Sequence, residues 1–340
     1  MGEVKIKRTG YRSLFWPIVL IAVGIIWLLS NLGVISGMNI AVLFRLWPLV
    51  LIVIGLDLLF GRESPVIGAV LGIGAVVVII ALMLIGPSLG LAPDLDITMD
   101  EYSVPREDAA SARIDLHTSI GDVNIFALAD STNLFEAEVA HVGNLDFVAE
   151  GTTEKIISLS QRDENVNFGL DILGGAFNPE NELYWRVGLS SALPIRLLVD
   201  NGVSSTTLDL TDIQLAGLDI NSGVGSVDLR LPVMETSYEV TVNGGVGDST
   251  IVIPENAAVA LDIDGGVGEV RIDVPDGAGV RLRGESGVGS INVPDYFNQV
   301  EGDDSDFVGE DGVWETEGYA SAERKITIEY NGGVGSLNID

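Results

Sequence analysis

The tripeptide Gly-Val-Gly recurs at 223–225, 245–247, 266–268, 287–289 and 333–335, at spacings of 22, 21, 21 and 46 residues. A worn copy, Asn201-Gly202-Val203-Ser204, lies one unit earlier. Self-similarity at periods of 20 to 50 residues is the mark of stacked, solenoid-like architectures, in which each unit covers the apolar face of its neighbour. Every unit is built alike. An alternating segment leads in, such as Tyr238-Glu-Val-Thr-Val242 or Ile326-Thr-Ile-Glu-Tyr330, and another leads out, such as Val227-Asp-Leu-Arg-Leu231 or Val270-Arg-Ile-Asp-Val274. Alternation with period two predicts strands with one buried and one wet face. Pro232, Pro254, Pro275 and Pro294 close several units, as expected of a residue that cannot continue a hydrogen-bonded ladder. The paired glycines are therefore read as structural corners: Gly223 and Gly225, Gly245 and Gly247, Gly266 and Gly268, Gly287 and Gly289, Gly333 and Gly335. The Val between each pair is expected to point into the core. Together these features predict an all-β domain over residues 107–340, a right-handed β-helix or toastrack-like solenoid.

Residues 107–194 repeat the pattern less regularly. Ala112-Arg-Ile-Asp-Leu116 and Asp122-Val-Asn-Ile125 flank Ser119-Ile120-Gly121, and Leu183-Tyr-Trp-Arg-Val187 adds bulky aromatics where the regular units begin. Terminal units of repeat proteins commonly depart from consensus.

The first 93 residues differ in kind. They hold Lys5, Lys7, Arg8, Arg12, Arg45 and Arg62 against Glu3, Asp57 and Glu63, a charge of +3, which leaves −34 of the whole-chain −31 to the remainder. Three apolar stretches, 14–34, 40–60 and 65–89, each approach or exceed the roughly 20 helical residues that cross a bilayer core. The first two are duplicates. Phe15-Trp16-Pro17-Ile18-Val19-Leu20-Ile21 returns 31 positions later as Leu46-Trp47-Pro48-Leu49-Val50-Leu51-Ile52. Trp suits the headgroup boundary, and Pro48, further inside its span than Pro17, is expected to kink it. Basic residues before the first span and Arg62 after the second predict a cytoplasmic N-terminus, three crossings and an external acidic domain. Asp57, within a turn of the predicted inner end of its span, reads as an interfacial carboxylate rather than an ion pathway. Residues 94–106 are expected to form a linker.

At these residues the chain resembles known families. The duplicated Trp-Pro spans are similar to the transmembrane region of LiaI- and LiaF-like proteins. Residues 183–232, with Trp185, Leu193-Pro194-Ile195, Asn201-Gly202, Leu208-Asp-Leu210 and Gly223-Val-Gly225, resemble the toastrack-type β-domain of LiaF and PspC relatives, a domain also known as adhesin-like. The resemblance implies an envelope-stress protein that modulates a partner such as a sensor kinase. It brings no catalytic residues and no cofactor.

The remaining chemistry is sparse. The acidic domain lacks the Lys and Arg clusters that nucleic-acid binding requires. With no cysteine, thiol catalysis and thiolate metal sites are excluded. Long β-helices include carbohydrate-active enzymes, which need two carboxylates across a cleft. Asp219, Asp228, Asp262 and Asp273, however, alternate with apolar residues as a solvated strand face does. His117 and His141 have no metal-ligand spacing. Gly244-Gly-Val-Gly-Asp248 begins like a calcium-roll repeat, but the period is 21 rather than nine and Ser249 stands where a ligand is needed. The stretch 299–320 is an acidic insertion with eight carboxylates and no basic residue between 301 and 317. Its aromatics, Phe307 and Trp314, are candidate anchors of a docking loop. The sequence thus predicts a non-enzymatic, multi-pass envelope protein. Its expected partners are the lipid bilayer, a membrane sensor kinase or similar stress protein, and further copies of itself through the β-domain or the membrane helices. Surface adhesion or scaffolding and a carbohydrate-active enzyme are the alternatives.

Overall fold

The computed structural model describes residues 46–60, 65–86, 97–129, 131–162, 183–302 and 309–340, together with Leu89 and single positions between 17 and 25. The chain divides into a helical unit within Met1–Asp96 and a β unit formed by Ile97–Glu164 and Leu183–Asp340.

In the helical unit, residues 17, 20, 21 and 23–25 are helical, and α1 (Trp47–Phe60) and α2 (Pro65–Ile85) touch one another. Most of the predicted first span lies outside the described residues. Among the described residues, no helix is long and apolar enough to cross a membrane. The backbone of α2 is nonetheless helical for 21 residues without a charged side chain, about 30 Å at 1.5 Å per residue.

Among the described residues the β unit has nineteen strands. Residues 97–105, expected as linker, form β1 (Ile97–Pro105), which pairs antiparallel with β4 (Asn133–Val142). Each coil then contributes two strands joined at a corner: β2 (Ser111–Ile120) and β3 (Asp122–Ala127), β8 (Ile195–Val203) and β9 (Thr206–Asp209), β10 (Leu215–Val224) and β11 (Val227–Arg230). β12 (Tyr238–Asn243) with β13 (Ser249–Val252), and β14 (Val259–Asp264) with β15 (Val267–Asp273), continue the series. In β16 (Gly279–Asn292) and β19 (Lys325–Ile339) both halves form one long strand. Lead-in strands pair in parallel with lead-in strands and lead-out with lead-out, so two parallel columns face each other. β11, β13, β15 and β16 each stop two residues before Pro232, Pro254, Pro275 and Pro294, where the missing N–H ends the ladder.

The register stacks like on like. In one column Ile114, Leu197, Leu218, Val240, Leu261, Ile328 and Leu282 are neighbours in turn, all at most 1% exposed. Ile125, Leu208, Leu229, Ile251, Ile272 and Ile339 form the facing row. At roughly 1.5–3 kcal/mol for each buried aliphatic side chain, this interior is the main stabilising term. At the N-terminal end β6 (Glu154–Arg162) and β7 (Tyr184–Leu189) extend the two columns in parallel. Antiparallel β5 (Asn144–Glu150) and β4 cover them.

Two features depart from the sequence reading. Coils do not stack in chain order: β19 lies between β14/β15 and β16, pairing with all three, so the last repeat is the penultimate coil in space. The acidic insertion is also more than a loop. β17 (Phe297–Gly302) and β18 (Asp311–Thr316) form an antiparallel hairpin, and β18 pairs along the first half of β16, closing that end of the stack.

Candidate functional site

The coils bring the ten corner glycines into one column, and the two in each pair do different work. Gly247 has φ +141°, a conformation that side chains with a Cβ rarely adopt. Gly225, Gly268, Gly289 and Gly335 share that conformation, with φ between +138° and +156°. Gly245 has no such φ, yet a Cβ there would overlap the Gly223 carbonyl oxygen of the neighbouring coil. Its counterparts meet the same obstacle: Gly223 against the Gly202 oxygen, Gly266 against Gly245, Gly333 against Gly266 and Gly287 against Gly333. The last two pairs follow the order of coils in space, with Gly333 seated between Gly266 and Gly287. Coils therefore approach more closely at the corner than any other residue permits.

That approach joins the corner backbones of successive coils by hydrogen bonds. The Val246 N–H donates to the Gly223 oxygen at 2.8 Å, the Val267 N–H to the Gly245 oxygen at 2.8 Å, and the Val334 N–H to the Gly266 oxygen at 2.9 Å. The carbonyls that a calcium roll would turn toward an ion are engaged by the next coil. Asp248 is engaged likewise, its Oδ1 accepting the Glu269 N–H at 2.9 Å. Among the described residues no three His, Asp or Glu side chains gather as a metal site would require.

The valines do not enter the core. Val224, Val246, Val267, Val288 and Val334 are 49 to 57% exposed, correcting the expectation that they point inward. With two glycines packed on the neighbouring coil, the only free direction for the intervening side chain is outward.

Trp314 is corrected as well. It is 5% exposed within the apolar core, standing on β18 opposite Leu282 of β16 and Gln299 of β17. It seals the solenoid end and is not offered to a partner. Phe307 lies outside the described residues. Glu310 extends the cap: its carboxylate accepts the Ile291 N–H at 2.9 Å, and its own N–H donates to Ser286 Oγ at 2.8 Å. Nothing in the acidic run marks Trp314 as internal except its place in a short alternating segment, Gly312-Val-Trp-Glu-Thr316.

The histidines are apart. His117 is half-exposed and sits 3.3 Å from Asp200 Oδ2 across the β2–β8 pairing. His141 is buried, its Nε2 3.1 Å from Asp100 Oδ2 across β1–β4. A groove of about 450 Å³ is lined by residues including Glu101, Tyr102, Glu136, Glu138 and Arg186. Two of its carboxylates, Glu136 and Glu138, have structural partners. Glu138 accepts from the Tyr184 hydroxyl at 2.6 Å and from Arg186, and Glu136 accepts from Ser131 and Asn133 at 2.8 Å each. The Tyr184 phenol is raised above its ordinary value chiefly by that hydrogen bond. Asp262, on the outer strand face, has its carboxyl raised, first by partial desolvation and then by Asp264 and Glu329.

Comparison with known proteins agrees with this architecture. Residues 14–59 match the family model of the LiaI-LiaF-like transmembrane region, and residues 94–252 that of the N-terminal domain of toast_rack, DUF2154. Neither is an enzyme family. No curated protein matches the chain. Among solved structures, a proposed cell adhesion protein from Clostridium sporogenes is 21% identical, with 72% of this chain and 99% of that one covered and a TM-score of 0.50. A proposed adhesin from Bacteroides fragilis is 13% identical over 73% of this chain and 99% of that one, with a TM-score of 0.37. The first of these shares the fold of the β unit.

Proposed function

We propose that this chain, which joins a LiaI-LiaF-like transmembrane region to a toast_rack β-domain, is a non-enzymatic envelope protein that modulates or senses a cell-envelope stress response. The observation that carries the proposal is the union of those two regions in one chain. In this reading spans at 14–34, 40–60 and 65–89 place the N-terminus in the cytoplasm and the acidic domain outside. The distribution of Lys5, Lys7, Arg8, Arg12 and Arg62 supports that topology. The membrane helices would contact a sensor kinase, and the solenoid would serve as an external surface rather than a reaction site. The engagement of Glu136 and Glu138 in the groove by structural partners supports a role without catalysis.

A second reading, adhesion or scaffolding without signalling, is favoured by the likeness of fold to the proposed cell adhesion protein. Purification of the full chain from membranes under cell-wall stress separates the two. The modulator should bring down a histidine kinase or another stress-system component, and recovery of neither would refute it. Reporter fusions after residues 62 and 93 test the topology, with the first expected inside and the second outside.

A further inference from the structure

Stacking of the coils turns the outward valines into a single row. Val203, Val224, Val246, Val267, Val334 and Val288 are neighbours in that order, each 46 to 57% exposed. At about 4.8 Å between coils the row is about 24 Å long. The corner segments 222–225, 244–247, 265–268, 286–289 and 332–335 contain only Gly, Ser and Val, so the line is uncharged in a strongly acidic domain. Local backbone does not demand this. Threonine has the same β-branched shape and would leave a hydroxyl in water, yet all six positions are valine. Six half-exposed valines present about 500 Å², at the upper end of the apolar patches found on monomers.

We propose that this ridge is a self-association surface, on which two copies of the chain dock ridge to ridge about a two-fold axis. A second copy offers the one partner surface sure to have the same length and spacing. Two such ridges would bury about 1,000 Å² from the valines alone, where specific interfaces begin. The flanking glycines leave room for the rows to interdigitate as a dry zipper. A partner drawn by charge would instead seek the carboxylate-bearing strand faces. A bilayer is a poor occupant, because the corner segments lack the Trp, Lys or Arg that anchor interfacial surfaces. The inference rests on the β unit alone and stands whether or not the chain modulates a stress system.

The chain has no cysteine, so single substitutions report cleanly. Val246→Cys and Val267→Cys, at the centre of the row, are compared with Asp228→Cys on an exposed strand face. Each is made in the full chain in native membranes and treated with a short bis-maleimide. The expected result is a covalent dimer forming at least tenfold faster at the two ridge positions. A second variant, Val246→Asp combined with Val224→Cys, should lose that cross-linking at least tenfold while keeping the protease resistance of the β unit. Equal rates at ridge and control positions would overturn the proposal. So would ridge cysteines that cross-link only to another protein, or that protein-free vesicles of the native lipids shield from maleimide in place of a second copy. Should the Asp variant not fold, the cysteine comparison decides alone.

Discussion

Replacing Gly247 by alanine should damage the solenoid far more than replacing its neighbour Val246. At Gly247 the new Cβ would overlap the Gly225 carbonyl of the preceding coil, and the residue would have to hold φ +141°. A side chain forced into such a backbone region costs about 1–3 kcal/mol. Relieving the overlap moves two coils apart and weakens the corner bonds Gly225 N–H to Val246 oxygen (2.9 Å) and Val246 N–H to Gly223 oxygen (2.8 Å), about 1 kcal/mol each. The total is roughly 3–5 kcal/mol. Val246→Ala removes methyl groups already half in water, and should cost about 1 kcal/mol or less. For a domain of this size 1 kcal/mol shifts Tm by about 2–4 °C, so Gly247→Ala should melt roughly 6–20 °C lower and Val246→Ala only a few degrees lower. Protease resistance of the β unit, followed against temperature in the detergent-solubilised full chain, measures both. If Gly247→Ala melted with Val246→Ala, the close approach of coils would not be what the glycines serve.

Trp314→Ala should destabilise by about 3–5 kcal/mol in the same assay, because it empties the buried end cap. A mere docking anchor would leave the melt unchanged. Asp262 binds its proton more tightly folded than unfolded, so between the ordinary value of 3.8 and its raised one the native state holds more protons and stability falls as pH rises. Asp262→Asn should therefore be more stable than the parent at pH 7, with the difference closing below about pH 3. A parent that was the more stable at pH 7 would refute that account.

Much of the β unit was legible in the residues. Alternation of apolar and polar positions located the strands, the prolines marked their ends, and the 21-residue spacing alone placed Val240 beside Leu261 and Ile251 beside Ile272. The order of the last two coils was legible in principle. Gly-Gly-Val-Gly at 244–247, 265–268 and 332–335 contrasts with Ser-Gly-Val-Gly at 222–225 and 286–289, and in space the three Gly-Gly corners are consecutive. The extra glycine has a physical reason at two of them, since a Cβ at Gly265 or Gly332 would press on the Tyr330 ring. Ser286, at the end coil, instead receives the Glu310 N–H.

The sequence by itself thus determined the repeating unit, its two strands, its buried rows and the change from a basic apolar segment to an acidic one. These follow from local rules: a strand alternates faces, proline lacks an N–H, and charge avoids a bilayer core. Only the tertiary structure decided that the valines face outward and that Trp314 faces inward. A period-two pattern sets sides along a strand and loses its phase where the chain turns a corner. Which side of a hairpin is covered depends on neighbours tens of residues away.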